Sequence, residues 1–139
     1  MPERKLIPVA PEDLNRTWTR VRPGLEELAS YSDGWIPEDV YHCCKAGQAT
    51  LFLGEDDGRD EGFLVLGLRP GFRGPEMLIW AIWSPNAGHQ RDMWLDEIKE
   101  IAQRAQARRL VFHSPRRAWA RVAIDLGFKE QQVTYIMEL

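Results

Sequence analysis

The stretch SPNAGHQRDMW, residues 84–94, follows an apolar run and precedes an amphipathic segment. A strand, a short loop and a helix in that order make a common frame for holding a phosphate. The first amides of a helix have no partner inside it, and they carry the positive end of its dipole. Gly88, His89, Gln90 and Arg91 are the residues such a loop would use. The residues from His89 to Met93 all carry a β-carbon, which obstructs the close backbone approach that glycines allow. Asp92 also competes for the free amides as a cap, and its charge opposes an anion. The frame of a phosphate loop is present, and its grip is degraded.

Other residues could also do chemistry. Arg116, Arg117 and Trp119 lie in SPRRAW, with Arg108, Arg109 and Arg121 nearby. This basic patch with an aromatic suits an acidic protein partner or a phosphate. Equally, Trp119 suits a core position and the arginines a solvated one. Arginines at a helix start run against the dipole, which favours a role for them. Glu76, His89 and His113 stand at strand ends and in the loop, where a general base would be wanted. Lone His and Glu residues at such places also serve as structural or solvated groups, and none is singled out as catalytic. His42, Cys43 and Cys44 suggest a metal site, but three successive helical residues point in different directions. Adjacent cysteines close a strained ring, so they read as buried thiols in a reducing compartment. EDDGRDE lacks the ligand spacing of a calcium loop and reads as a hairpin tip.

The elements that must position these residues follow from periodicity. LIPV (6–9) predicts a short strand, and Pro11 opens a helix with Leu14, Trp18 and Val21 on one face, interrupted at Pro23-Gly24. PEDVYHCCKAG predicts a short helix stopped by Gly47. ATLFL (49–53) and FLVLGL (63–68) predict a hairpin around an acidic turn. MLIWAIW (77–83) predicts a central strand with Leu78, Trp80 and Ile82 on one side and Met77, Ile79, Ala81 and Trp83 on the other. A helix over about residues 91–107 buries Trp94, Ile98, Ile101, Ala102 and Ala105. RLVFH (109–113) predicts a strand, the segment after Pro115 a helix ending at Gly127, and KEQQVTYIMEL a final strand.

A chain of 139 residues with these elements forms one domain, residues 1–139. Its formal net charge of −3 argues against a surface for nucleic acid or an anionic membrane. No apolar stretch approaches the ~20 residues of a membrane span. MPERKLIPVAPED has no secretory hydrophobic region, so a cytoplasmic setting is expected. Six tryptophans suit either a core of large aromatics or a surface facing a protein partner.

The order β-α-α-β-β-β-α-β-α-β resembles the GNAT acetyltransferase superfamily. ATLFLGEDDGRDEGFLVLGL is similar to its second and third strands, WAIWSP to its fourth, and DLGFKEQQVTYIMEL to its closing helix, Gly-Phe and strand. The resemblance implies a single α/β (α+β) domain with a central mixed, twisted sheet of about six strands and helices on both faces. It also implies acetyl-CoA between the fourth and fifth strands, with its pyrophosphate on the loop from Gly88. The family's loop glycines would fall near His89 to Met93, where there are none. Its thiolate-protonating Tyr corresponds to Ala123, and the Asn that commonly begins that helix to about Arg116. Three departures together point to a non-catalytic GNAT-fold protein without a cofactor, working through a protein partner, a homo-oligomer or a larger assembly. The alternative is an acetyl-CoA-dependent N-acetyltransferase with an atypical loop. The strings W-x-P-E-D-V-Y and SPRR-x-W are similar to those of small GNAT-like proteins of tailed bacteriophages. That would place the chain in a virion or in the host cytoplasm.

Overall fold

The computed structural model describes residues 4–32, 34–85, 94–114 and 118–139. The chain begins with strand β1 (Arg4–Val9) and a single 3-10 turn (Pro11–Asp13), followed by helices α1 (Leu14–Ala29) and α2 (Pro37–Lys45). Strands β2 (Thr50–Asp56), β3 (Arg59–Arg69) and β4 (Glu76–Trp83) follow, then α3 (Leu95–Arg104), β5 (Arg109–Val111) and α4 (Ala118–Asp125). The strands lie in chain order in one five-stranded sheet. Neighbours are antiparallel except β4 and β5, which are parallel. The sheet is mixed, as expected.

Helix α1 runs unbroken through Pro23, where an interruption was expected. Its apolar stripe explains this: Leu14, Val21 and Leu25 continue along one face past the proline, and all three are buried. Burial of that face outweighs the one hydrogen bond that Pro23 cannot make. Gly24 lies on the same face, and a Cβ there would stand 2.7 Å from Phe63 and 2.8 Å from Trp83. The Pro-Gly pair therefore marks a close helix–sheet approach. Helix α2 starts at Pro37, and the Ile36 amide donates to Asp39 Oδ2 at 2.9 Å.

The acidic hairpin closes on Asp57 and Gly58, both with positive φ (54° and 78°). A two-residue turn of this kind matches the twist of the paired strands. β2 and β3 are longer than expected, and most of the acidic residues belong to the strands.

β4 departs from simple alternation. Val65 is opposite Ala81 and Leu66 opposite Ile79, so Trp80 is one residue too many. This bulge re-phases the strand. Trp80, Ala81 and Trp83 face α1 and α2, while Met77, Ile79 and Ile82 face α3. The expected grouping of Trp80 with Ile82, and of Ala81 with Ile79, is thereby corrected.

Two cores flank the sheet. One packs Leu14, Val21, Leu25 and Val40 of the first two helices on Leu51, Leu53, Phe63 and Val65. The other packs Trp94, Ile98 and Ala102 on Phe52, Leu64, Leu66, Met77 and Ile79. Ile101 and Ala105 are only partly buried beside it.

The last expected strand does not form. Residues 129–139 are exposed throughout and carry no regular structure. A strand satisfies its backbone only across a ladder, and β5 is just three residues long. This segment is not paired with it.

Candidate functional site

β4 and β5 start side by side and then part. Glu76 pairs with Arg109, Met77 with Leu110 and Leu78 with Val111, and there the parallel ladder ends. β4 continues to Trp83, bent by the Trp80 bulge. A wedge therefore opens at the carboxyl ends of two parallel strands, where sheets of this type offer space to ligands.

The β4 wall from Ile79 to Trp83 has no ionisable side chain. Trp83 is held against the α1 side of the sheet and away from the opening. Its ring stacks on Phe63 with centroids 5.7 Å apart, and Nε1 donates to Glu27 Oε2 at 2.7 Å. Trp80 meets Trp35 edge-on at 5.9 Å. Beyond β5, Phe112 contacts Phe128 at 5.0 Å and Trp119 at 6.1 Å. Trp119 thus packs partly into this wall, and the rest of it is exposed at the start of α4. Ala123, on the same helix, can neither donate nor accept a proton through its side chain.

The start of α3 packs against β1 and β2. Trp94 precedes the helix with φ 56°, an unusual conformation for a bulky residue, and only 3% of its surface is exposed. Its ring lies over Gly54, where a Cβ would come within 2.8 Å. The Arg4 guanidinium sits 3.9 Å from the ring centroid on the Trp94 side and reaches Glu97 at 4.0 Å. Asp96 and Glu97 make the first turn of α3 acidic. A negative first turn stabilises the helix and disfavours a phosphate there.

Near the narrow end, Glu76 is 7% exposed and is the one buried charged residue among those described. Arg109 Nε donates to its Oε2, and Arg69 Nε approaches Oε1 at 3.4 Å. The Arg109 hydrogen bond above all, with the charges of Arg109 and Arg69, holds the Glu76 carboxyl below the usual carboxylate range against the opposing effect of burial. Arg69 Nη1 lies 3.2 Å from His113 Nε2 and donates to it, since a guanidinium has no acceptor. Glu76 and His113, two of the candidate bases, are therefore joined through Arg69. For Glu76 the pairing with the two arginines opposes taking up a proton. Sequence reasoning placed Arg109 in a basic patch rather than on Glu76, and missed Arg69. The signal was Arg69 and Glu76 flanking one tight turn, RPGFRGPE, which makes them cross-strand partners.

Gly88, His89, Gln90 and Arg91 lie outside the described residues, as do Arg116 and Arg117. At the start of α3 the described residues supply carboxylates and a packed tryptophan where a phosphate would want donors. Among the described residues no group of three or more His, Cys, Asp or Glu could hold a metal ion, and no helix is long and apolar enough to cross a membrane. Cys44 is buried on α2, and that burial, with Cys43 adjacent, pushes its thiol up to about 11.

No protein-family model and no curated protein matches the chain. Solved structures do. A probable acetyltransferase superposes with a TM-score of 0.71 at 16% identity, covering 97% of each chain. The aminoglycoside N-acetyltransferase AAC(6')-Iy in complex with CoA gives 0.68 at 17% identity, covering 99% of this chain and 96% of that one. A predicted acetyltransferase with acetyl-CoA from Clostridium acetobutylicum gives 0.68 at 10% identity, with the same coverage. At these identities the likeness establishes the fold.

Proposed function

We propose that this chain, which has the GNAT acetyltransferase fold, has given up acyl transfer and acts as a non-catalytic binding protein. Its partner is another protein, met in a tailed-phage particle or in the infected cell. One observation carries the reading: the β4 wall from Ile79 to Trp83 has no ionisable side chain. Acyl transfer to an amine needs a group to take a proton and another to protonate the departing thiolate. Ile79 to Trp83 supply neither, and Ala123 stands where the thiolate's acid would be. Glu76 is neutralised by Arg109 and Arg69, and His113 already accepts from Arg69.

A second reading has one specific support. β4 and β5 separate cleanly after Leu78 and Val111, and Trp83 is turned away from the gap. A site for acetyl-CoA completed by His89 and Arg91 would make the chain an N-acetyltransferase.

A thermal-shift titration with acetyl-CoA, followed by calorimetry, separates the two. The first reading expects no shift up to millimolar ligand. A shift equivalent to about 2.7 kcal/mol at a hundred times the dissociation constant, lost in Arg91→Ala, would replace it with the second.

A further inference from the structure

We infer that the β3–β4 turn and the start of β5 form a docking surface for an acidic segment of another protein, with Phe72 as its apolar anchor. The inference stands whether or not the chain transfers acyl groups. Its basis is a concentration of charge that the fold assembles from two places. Residues 68–76 and 107–110 together hold four arginines, Arg69, Arg73, Arg108 and Arg109, and one carboxylate, Glu76, in a chain of formal net charge −3. The parallel pairing of β4 with β5 joins the two segments, and the Arg108 amide donates to the Pro75 carbonyl at 2.7 Å. A Cβ at Gly74 would stand 3.7 Å from Arg108 Cβ, so that arginine lies along the turn. The one carboxylate is not offered to solvent, since Glu76 is buried between Arg109 and Arg69. Both guanidiniums engage it through Nε. A guanidinium has five donors, and these two side chains remain 39% and 41% exposed, so their outer edges are set in place for a partner.

The turn itself is tightly built. The Gly74 amide donates to Gly71 O at 3.2 Å, which leaves Phe72 and Arg73 at the tip. Gly74 has φ 137°, and a Cβ at Gly71 would come within 2.6 Å of Gly74 O. Phe72 is 112% exposed, and Leu68 at the end of β3 is 46% exposed. A scattered apolar side chain on a surface needs no explanation. An aromatic fixed among arginines has instead the composition of an interface hot spot. The turn and the Glu76 pairs order these groups before a partner arrives, which lowers the entropy lost on binding. The partner must be negative, and carboxylates match the guanidinium fork. It must also be short in reach. Glu55, Asp56, Asp57, Asp60 and Glu61 gather at the other end of β3, eleven residues away, or about 35 Å. A long polyanion such as nucleic acid running along the sheet would meet them. A few carboxylates around an apolar pocket stay within about 8 Å of the arginines, the range of charge in physiological salt.

The test is fluorescence anisotropy of a fluorescein-labelled peptide of glutamates around a central leucine, titrated with the full chain. Binding is expected, weakening as salt rises from about 50 to 300 mM. Arg73→Glu and Phe72→Ala should each weaken it about tenfold. Both residues are exposed, so circular dichroism should not change. Absence of binding at about millimolar chain would overturn the inference, as would binding indifferent to both substitutions. Equal binding of the same peptide with lysine for glutamate would also overturn it. Tighter binding of labelled oligothymidylate would make the surface one for nucleic acid, and the protein partner would be wrong. Light scattering on the chain alone should show no salt-sensitive self-association. If it does, and Arg73→Glu removes it, the occupant is the acidic hairpin of a second copy and not another protein.

Discussion

Replacing Gly24 by alanine sets two effects of opposite sign against each other. In the interior of α1, alanine is favoured over glycine by about 1 kcal/mol, because glycine loses more backbone freedom on folding. Position 24 is buried, however, and the new methyl would sit 2.7 Å from Phe63 Cε2 and 2.8 Å from Trp83 Cδ2. Carbon atoms in contact prefer about 3.5–4.0 Å, so helix or rings must yield by close to an ångström. The rings have little freedom to do so. Phe63 is 4% exposed, the two rings stack at 5.7 Å, and the Trp83 indole is tied to Glu27. Overpacking of this kind costs about 1–3 kcal/mol. Taken with the helix gain, Gly24→Ala should lose about 1 kcal/mol, with Trp83 fluorescence perturbed. Urea denaturation at constant slope measures this directly. A variant more stable than the parent by the full propensity gain would show that α1 and the sheet are less closely seated than described.

Glu76 links stability to pH. Its folded carboxyl lies below the ordinary value of 4.5, so its contribution is fully present above that value and fades as pH falls through the lower, folded one. Denaturant midpoints at pH 6 and pH 3 should therefore differ more for the parent than for Glu76→Gln, and equal differences would refute the pairing. The thiols give a chemical test. With Cys44 pushed up to about 11, roughly one such thiol in a thousand is ionised at pH 8. Iodoacetamide followed by mass spectrometry should modify Cys43 well before Cys44, and the reverse order would contradict the burial of α2.

Most of the architecture was legible because it is written in periodicity. The stripe of α1, the hairpin and the buried face of α3 each repeat with the spacing of their element, and the two cores follow from them. Three things were not legible. Pro23 and Gly24 carry a local breaking signal, and only the sheet beneath Gly24 overrules it. The Trp80 bulge is invisible because all the residues around it are apolar, so no polar position marks the change of phase. The tail 129–139 has strand chemistry, but pairing depends on a partner edge that local sequence does not specify. At the candidate site, the wedge follows from strand order. The Arg109–Glu76–Arg69–His113 chain instead needs β4 and β5 brought together across 33 residues of sequence.

The bulge at Trp80 also bears on how such a chain changes over time. The bend in β4 depends on the number of residues between Met77 and Trp83, which exceeds by one what the β3 ladder accommodates. Substitutions leave that count alone. Side chains along the strand can change, and the bend in β4 still forms. Only an insertion or deletion alters it. Backbone shape and side-chain chemistry thus answer to different kinds of genetic event.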